Sequence, residues 1–385
     1  MDEVYHVVFA VLAAFFLSGV LSFLLTPPVK RLAYKIGAVD VPKDTRRMHK
    51  RPIPRLGGLA IFFAFLVSAV LVGKINPQRV WILIGAVIIV ALGIVDDRKA
   101  LGAKFKFVIQ ILAAAIPVVL GGLRIEVFTN PFIFSDSLYW SVGALSIPIT
   151  IIWIVAITNA VNLIDGLDGL AVGVSSIASM TMLAVALFIG EIEIAVILAA
   201  LAGACVGFMP YNLNPAQIFM GDTGSTFLGY MLATMSIQGL FKVYALISFA
   251  VPFLILGLPI FDTGFAMLRR VLSGRSPFSP DRGHVHHRLI DMGFNQKQAV
   301  AILYVISVVL GLIAVVLTTS GELRAMFIVA AVIITLIVGG FLVLTTEQHK
   351  IDEYEKQYIR DHPKGQAAKQ EKTPESTKEE TDEEH

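Results

Sequence analysis

The sequence predicts an all-α protein that crosses a membrane many times. Hydrophobic residues form 56% of the 385 positions and charged residues only 16%, whereas about a quarter of a soluble domain is charged. Apolar runs recur along the chain at lengths near the roughly 20 residues that a helix needs to cross the hydrocarbon core. The formal net charge of +2 gives no reason to expect a nucleic-acid partner, and the lipid bilayer is the expected surroundings.

Eleven apolar runs predict about eleven transmembrane helices. They lie at about 4–25, 57–73, 80–95, 105–121, 141–159, 170–189, 192–209, 224–240, 243–268, 299–317 and 325–345. The first run is too long for a signal-peptide core and lacks a basic start, so we expect it to remain as a helix. The run at 224–240 carries Ser, Thr and Gln, which predicts that it faces protein or water rather than lipid.

Two segments between and after these runs have a different character. Residues 122–140 mix apolar and aromatic residues with Asn130-Pro131 and Ser135-Asp136, which favours a short β-hairpin on the outer surface. Residues 346–385 are rich in Lys, Glu, Thr and Gln and predict a charged cytoplasmic tail that is partly disordered. The predicted organisation is a transmembrane domain at 1–345 followed by this tail.

The distribution of Lys and Arg predicts the orientation. Basic residues crowd the loops at 30–55, 98–106 and 269–297, whereas the opposite loops carry only Lys74, Arg79, Arg124, Lys242 and Arg324. Cytoplasmic loops carry the excess of positive residues. With an odd number of helices, the N-terminus is then outside and the C-terminus is cytoplasmic. Four polar clusters at helix ends all fall on the cytoplasmic face in this threading.

The first two clusters are acidic and amidic. Asp96 and Asp97 close the third helix, and adjacent carboxylates repel each other unless a cation or a shared proton intervenes; a solvated helix end is the alternative. Asn159, Asn162, Asp165 and Asp168 recur every three residues, a spacing that directs side chains roughly to one side of a helical segment. No Lys or Arg lies among them, which favours a metal over direct phosphate binding.

Of the other two clusters, one lies just before the eighth helix and one lies in a later loop. Asp222, between Gly221 and Gly224, stands just before the eighth helix; it could hold a metal shared with phosphates, or cap that helix. The segment with His284, His286, His287 and Arg288 lies in a basic loop. A zinc site is disfavoured there because no Cys is near, and contact with an anion fits better because guanidinium pairs with phosphate.

Taken together, these segments resemble the polyprenyl-phosphate N-acetylhexosamine-1-phosphate transferases. The likeness runs in order from residue 1 to about 345 and rests on Asp-Asp, on Asn-Ala-Val-Asn-Leu-Ile-Asp-Gly-Leu-Asp-Gly-Leu-Ala and on Met-Gly-Asp-Thr-Gly-Ser. The His-Val-His-His-Arg-Leu run is similar to the branch that uses UDP-N-acetylglucosamine, because Val285 interrupts the three histidines of the muramoyl-pentapeptide branch. Within that branch the pattern is similar to bacterial enzymes that initiate wall teichoic acid, O-antigen or enterobacterial common antigen synthesis.

The resemblance implies a reaction and a set of residue roles. The reaction is transfer of N-acetylglucosamine 1-phosphate from UDP-N-acetylglucosamine to undecaprenyl phosphate, with release of UMP, in a bacterial cell membrane. It implies Mg²⁺, with Mn²⁺ as a substitute, and relatives suggest a homodimer. Catalytic roles are implied for Asp96, Asp97, Asp165 and Asp168; substrate binding for Lys106, Asn159, His284, His286, His287 and Arg288; and metal binding for Asp222 and Asn162.

Two chemical routes and two other functions remain open at this point. The lipid phosphate either attacks the donor directly, with Asp97 or alternatively Asp96 positioning it, or an aspartyl-phosphate forms first. A transporter would need polar residues near the midplane of the membrane, whereas these clusters share one face. A non-catalytic scaffold would leave the Asp set unexplained.

Overall fold

The long apolar runs fold into a helical bundle in which one helix, α8, is surrounded by protein. The computed structural model describes residues 2–42, 51–129, 139–240, 250–274 and 283–319, all within the unit Met1–Ala325. The helices there are α1 Asp2–Ile36, α2 Gly58–Leu71, α3 Pro77–Arg98, α4 Ala103–Ala115, α5 Ser146–Leu163, α6 Leu170–Phe188, α7 Ile192–Asn212, α8 Gly221–Met235, α9 Ala250–Ile255, α10 Gly257–Leu272, α11 Val285–Asp291 and α12 Gln296–Thr319. Short π-helical turns at Ile116–Leu120 and Ser236–Leu240 extend α4 and α8.

Seven segments of the described chain are long and apolar enough to cross a bilayer. They are Val4–Ile36, Pro77–Arg98, Ala103–Leu120, Gly143–Leu163, Leu170–Phe188, Ile192–Asn212 and Gln296–Thr319. The protein is therefore a mostly helical, multi-pass membrane protein. The count of eleven and the orientation of the termini stay predictions, and both the run at 325–345 and the tail at 346–385 lie outside the described residues.

Two predicted helices differ most from the observed ones. The predicted ninth helix, 243–268, has its first residues outside the description, and its remainder divides into α9 and α10 at Leu256. Pro259 explains the division, because it has no N–H to donate to Ile255 and its ring clashes with that carbonyl. The first helix is longer than its apolar run and continues through Pro27 and Pro28 to Ile36.

Helix α8 forms the centre of the site-bearing region. Every residue of α8 except Asp222 is buried, which confirms that this run faces protein rather than lipid. Helices α3 and α5 pack against it, and α6 and α2 make further contacts. The N-terminus of α8, the C-termini of α3 and α5 and the N-termini of α4 and α6 lie at the same end of the bundle.

In the part of the chain that the structure describes, four short strands form two antiparallel pairs. Strand β1 (Val39–Asp40) pairs with β2 (Ile53–Pro54), and the next residue, Arg55, continues into a parallel bridge with Phe219 just before α8. Strand β3 (Val127–Thr129) pairs with β4 (Tyr139–Ser141) in the segment where a hairpin is expected. The residues between β3 and β4 lie outside the described chain, and the location of this segment on the outer surface stays a prediction.

Candidate active site

The four polar clusters meet at the end of the bundle where α8 begins. A cavity of about 620 Å³ lies there. Five of the predicted site residues line it: Asn162, Asp165, Asp168, Asp222 and His287. The remaining predicted residues lie behind this lining or in the helices that support it.

Asp222 lies between two cations. Its Oδ2 accepts a hydrogen bond from Lys106 Nζ at 2.7 Å, and its Oδ1 lies 3.4 Å from Arg55 Nη2. Lys106 Nζ also contacts Asp96 Oδ2 at 3.0 Å, and the other Asp96 oxygen accepts the Leu101 N–H at 2.7 Å. The Asp222 carboxylate is thus neutralised from two sides while it still faces the cavity.

Asp97 caps the helix that carries Asp222. Its Oδ1 accepts the Asp222 N–H at 2.9 Å, and its Oδ2 accepts the Thr223 N–H at 3.0 Å and the Thr223 hydroxyl at 2.6 Å. Arg55 Nε adds a contact of 3.1 Å to Oδ1, and the Asp97 side chain has no exposed surface. Asp97, and not Asp222, therefore caps α8 by satisfying free N–H groups of its first turn.

A glycine makes this cap fit. Gly221 has φ of +72°, a left-handed conformation, and a Cβ there would lie 2.4 Å from Asp97 Oδ2. A side chain at this position would therefore push the carboxylate away from the helix terminus, in a backbone conformation that L-residues avoid.

The Asn159–Asp168 segment divides between two roles. Asn162 ends near the C-terminus of α5 and lines the cavity with Asp165 and Asp168 from the following turn. Asn159 turns to α4 instead, where its Nδ2 donates to Gln110 Oε1 at 2.7 Å. Three of the four side chains with this spacing therefore reach the cavity. Asn159 and Asn162 lie on α5, whereas Asp165 and Asp168 follow its end at Leu163.

The two carboxylates of this turn have different surroundings. Asp168 Oδ2 accepts hydrogen bonds from Asn214 Nδ2 at 2.9 Å and from the Ala216 N–H at 3.0 Å, so it holds the chain between α7 and α8. Burial, followed by the negative charges of Asp222 and Asp97, raises the pKa of Asp165 to about 7. Asp165 is therefore the carboxyl of the cavity best suited to share or exchange a proton near neutral pH.

The histidine segment is fixed to α10 by a buried carboxylate. Asp262 Oδ2 lies 2.9 Å from His284 Nδ1, and Asp262 Oδ1 accepts the Val285 N–H at 2.7 Å. The His284 and His286 rings stack at 5.7 Å with an interplanar angle of 12°. These contacts hold the start of α11 in one orientation.

His286 joins this segment to the acidic turn. A Cβ on Gly166 would lie 2.3 Å from His286 Nε2, so the ring packs directly on the glycine. Burial, followed by the charge of His287, lowers the pKa of His286 to about 4. His286 is therefore a neutral packing residue at pH 7, whereas its neighbour His287 reaches the cavity.

Sequence reasoning did not assign two contributors to the site. Arg55 was part of a basic first loop, but nothing in its spacing indicated a contact with Asp97 and Asp222. Asp262 lay near the end of an apolar run, and its role depends on α11, a helix of seven residues that has no periodic signal of its own.

The cavity residues fit a magnesium ion by their chemistry. Asp222, Asp165 and Asn162 offer carboxylate and amide oxygens, the ligands that Mg²⁺ prefers. Within the described ranges, no group of three or more His, Cys, Asp and Glu side chains forms a metal-binding set alone. Mg²⁺ in proteins is commonly held by one or two carboxylates and completed by ligand phosphates and water, and Asp222, Asp165 and Asn162 would be the protein oxygens available to it here.

Comparison with known proteins places the chain in a family. Residues 80–240 match the model of glycosyl transferase family 4. A Bacillus subtilis protein named probable undecaprenyl-phosphate N-acetylglucosaminyl 1-phosphate transferase is 42% identical over 84% of this chain and 89% of its own length. A Mycobacterium tuberculosis protein named decaprenyl-phosphate N-acetylglucosaminephosphotransferase is 37% identical over 74% of this chain and 77% of its own.

A more distant relative carries the same type of name. The Escherichia coli K12 undecaprenyl-phosphate α-N-acetylglucosaminyl 1-phosphate transferase is 29% identical over 74% of this chain and 78% of its own length. The range matched by the family model runs from α3 to α8 and includes the three segments Asp96-Asp97, 159–169 and 220–225. The chain therefore belongs to glycosyl transferase family 4, in the branch of the polyprenyl-phosphate N-acetylglucosaminyl 1-phosphate transferases.

Proposed function

We propose that this protein transfers N-acetylglucosamine 1-phosphate from UDP-N-acetylglucosamine to undecaprenyl phosphate. The products are UMP and the first lipid-linked intermediate of a cell-envelope polymer. The observation that carries the proposal is the position of Asp222, which two cations flank at the wall of a cavity large enough for a nucleotide sugar.

The reaction joins two anions, so charge compensation is its first requirement. A lipid phosphate oxygen attacks the β-phosphorus of the donor, and the bond from that phosphorus to the bridging oxygen breaks. The electron pair stays on that oxygen, which leaves as part of UMP. A bound Mg²⁺ would neutralise charge on the donor diphosphate, with Asp222 and Asn162 as its expected protein ligands.

The chain's own cations complete this compensation. Lys106 Nζ lies within 3.0 Å of both Asp96 and Asp222 and is placed to contact a phosphate that approaches Asp222. Asp96 holds Lys106 in position. Arg288 and His287 would contact the donor from α11, a segment that Asp262 and His286 orient through His284 and Gly166.

Direct attack needs little help from a base. The second pKa of a phosphate monoester is about 6, so most of the lipid phosphate is already a dianion at pH 7. Asp97 is buried and accepts four contacts, which supports a positioning role rather than a nucleophilic one. Asp165 is the better candidate for any proton exchange, because it lines the cavity and its pKa is raised to about 7.

One polar side chain of the cavity lining has an acceptor without a partner in the described protein. Asn212 is 3% exposed and lines the cavity. Its Nδ2 donates to the Ile218 carbonyl at 3.0 Å, whereas its Oδ1 has no hydrogen-bond partner in the described protein.

The location follows from the acceptor. The prenyl chain must stay in the bilayer while its phosphate reaches the polar end of the bundle, so we propose a bacterial cell membrane with this end on the cytoplasmic face. The basic loops at this end support that orientation.

Product identification tests the function. Purified protein in detergent is incubated with Mg²⁺, undecaprenyl phosphate and a panel of UDP-sugars, and the lipid product is identified by mass while UMP is measured. We expect UMP and GlcNAc-diphospho-undecaprenol in equal amounts, with UDP-N-acetylgalactosamine used more slowly. A decaprenyl phosphate arm tests acceptor length. Solute movement across sealed vesicles without a lipid product would instead indicate a transporter.

A further inference from the structure

Arg55 reaches the site on a backbone that is tied to the chain leading into α8. It directly follows β2, and its N–H donates to the Ala38 carbonyl at 3.0 Å. It forms a parallel bridge with Phe219, whose N–H donates to the Pro54 carbonyl at 2.8 Å. Only two residues separate Phe219 from Asp222, so the main chains that carry Arg55 and Asp222 are held together.

The guanidinium makes two unequal contacts. Its Nε lies 3.1 Å from Asp97 Oδ1, and Asp97 is buried and fixed to the terminus of α8. Its Nη2 lies 3.4 Å from Asp222 Oδ1, whereas Lys106 holds the other Asp222 oxygen at 2.7 Å. The Arg55–Asp222 contact is thus the longer of the two ion pairs on Asp222. It can open while Arg55 Nε keeps its contact with Asp97, so the cap stays in place.

The position of Arg55 in the cavity indicates which kind of ligand its guanidinium would bind. It is the one Lys or Arg among the described residues that line the cavity, where it faces Asp165, Asp168 and Asp222. About a third of its side chain is exposed, so the guanidinium has room to turn. A diphosphate that enters this acidic cavity would meet the positive charge of Arg55 on the wall, while Lys106 holds the other side of Asp222.

We propose that Arg55 exchanges partners during substrate binding: it occupies Asp222 in the ligand-free protein and turns to the donor diphosphate when a divalent cation takes Asp222. The inference rests on the proposed function and extends it to a residue outside the three motif segments. Nε keeps its contact with Asp97 while the two Nη groups pair with phosphate oxygens, a geometry for which guanidinium is suited.

The exchange predicts two effects of opposite sign in Arg55→Gln. Without substrate, Mn²⁺ titrated into the purified protein and followed by electron paramagnetic resonance should bind about 2- to 5-fold more tightly, because a competing ion pair on Asp222 is gone. In turnover with Mg²⁺, KM for UDP-N-acetylglucosamine should rise about 10- to 100-fold, which corresponds to one lost charge-assisted contact. KM for undecaprenyl phosphate should stay within about 2-fold. A purely structural role would not tighten metal binding.

Arg55→Lys is the matched control, and it keeps the test informative if the glutamine variant does not fold. It keeps the charge beside Asp97 and Asp222 but lacks the planar fork, so Mn²⁺ binding should match the wild type while the donor KM still rises about 3- to 10-fold. The inference is overturned if Arg55→Gln binds Mn²⁺ no more tightly than the wild type, or if neither variant raises the donor KM.

Failure of the proposed function gives a different result. In that case the wild-type protein itself would neither bind UDP-N-acetylglucosamine with the metal nor form the lipid product. An active wild type with unchanged variants would refute the role of Arg55 alone.

Discussion

At the scale of single residues, the site separates side chains that face the ligand from side chains that hold them. Asp222, Asp165 and His287 line the cavity, whereas Asp97, Asp262 and His286 are buried behind it. The sequence motifs contain both cavity-lining and supporting residues, because aspartate can serve either as a helix cap or as a ligand-facing carboxylate. Asp97 and Asp222 therefore have different roles although both belong to the motifs.

His286 gives the site a dependence on pH. Its pKa is lowered to about 4 in the folded protein, against about 6.5 in an unfolded chain. Below pH 6.5 the unfolded state binds more protons, so this residue makes stability fall as the pH drops from about 6.5 to about 4. We expect the melting temperature of the wild type to fall more between pH 7 and pH 5 than that of His286→Gln. Parallel curves for the two proteins would contradict this account.

At the scale of elements, the site depends on the first turn of α8, where Asp97 caps the helix that carries Asp222. Gly221→Ala would strain a φ of +72° and press against Asp97. Gly190, between α6 and α7, has a similar φ of +80° but open space around it, and it serves as the control. Backbone strain alone costs about 1–2 kcal/mol, which Gly190→Ala should show in thermal unfolding.

Gly221→Ala should exceed that loss and should also reduce turnover by about 100-fold or more, since a displacement near 1 Å of a catalytic group has this effect. Gly190→Ala should keep its turnover. Equal stability and turnover in the two variants would show that the close approach of Asp97 to the helix terminus is unimportant.

At this scale, the sequence predicted the helices and the cavity segment correctly where an apolar run ends in a motif. The apolar runs located α3 to α8 to within a few residues, and the motif at 162–168 led to the cavity. The contacts of Arg55 and Asp262 could not be predicted in this way, because their partners are 42 and 22 residues away and meet them through a strand and a short helix without periodic signals. The break at Leu256 depends on Pro259, a single residue within a continuous apolar run, and apolar composition alone does not indicate it.

At the scale of the whole molecule, the seven long apolar helices found among the described residues show a multi-pass protein, and its proposed orientation rests only on the positions of basic residues. Cys205 is buried and is the single cysteine, so Cys205→Ala gives a background for labelling. Lys99, exposed beside the site, and Lys74, with a side chain 84% exposed near the other end of α3, are the positions to compare.

A membrane-impermeant maleimide should label Lys74→Cys in intact cells and Lys99→Cys only after the cells are opened. The reverse pattern would place the cavity on the outer face and would contradict the proposed cytoplasmic site.

The most direct measurement is binding of UDP-N-acetylglucosamine to the purified protein, without acceptor, by calorimetry with and without Mg²⁺. Asp222→Asn is the test variant. Glu193→Gln is the control, because Glu193 pairs with Arg79 and Lys74 away from the cavity. We predict metal-dependent binding in the wild type and the control, and none in Asp222→Asn. Binding that is independent of the metal, or that survives in Asp222→Asn, would contradict the central claim.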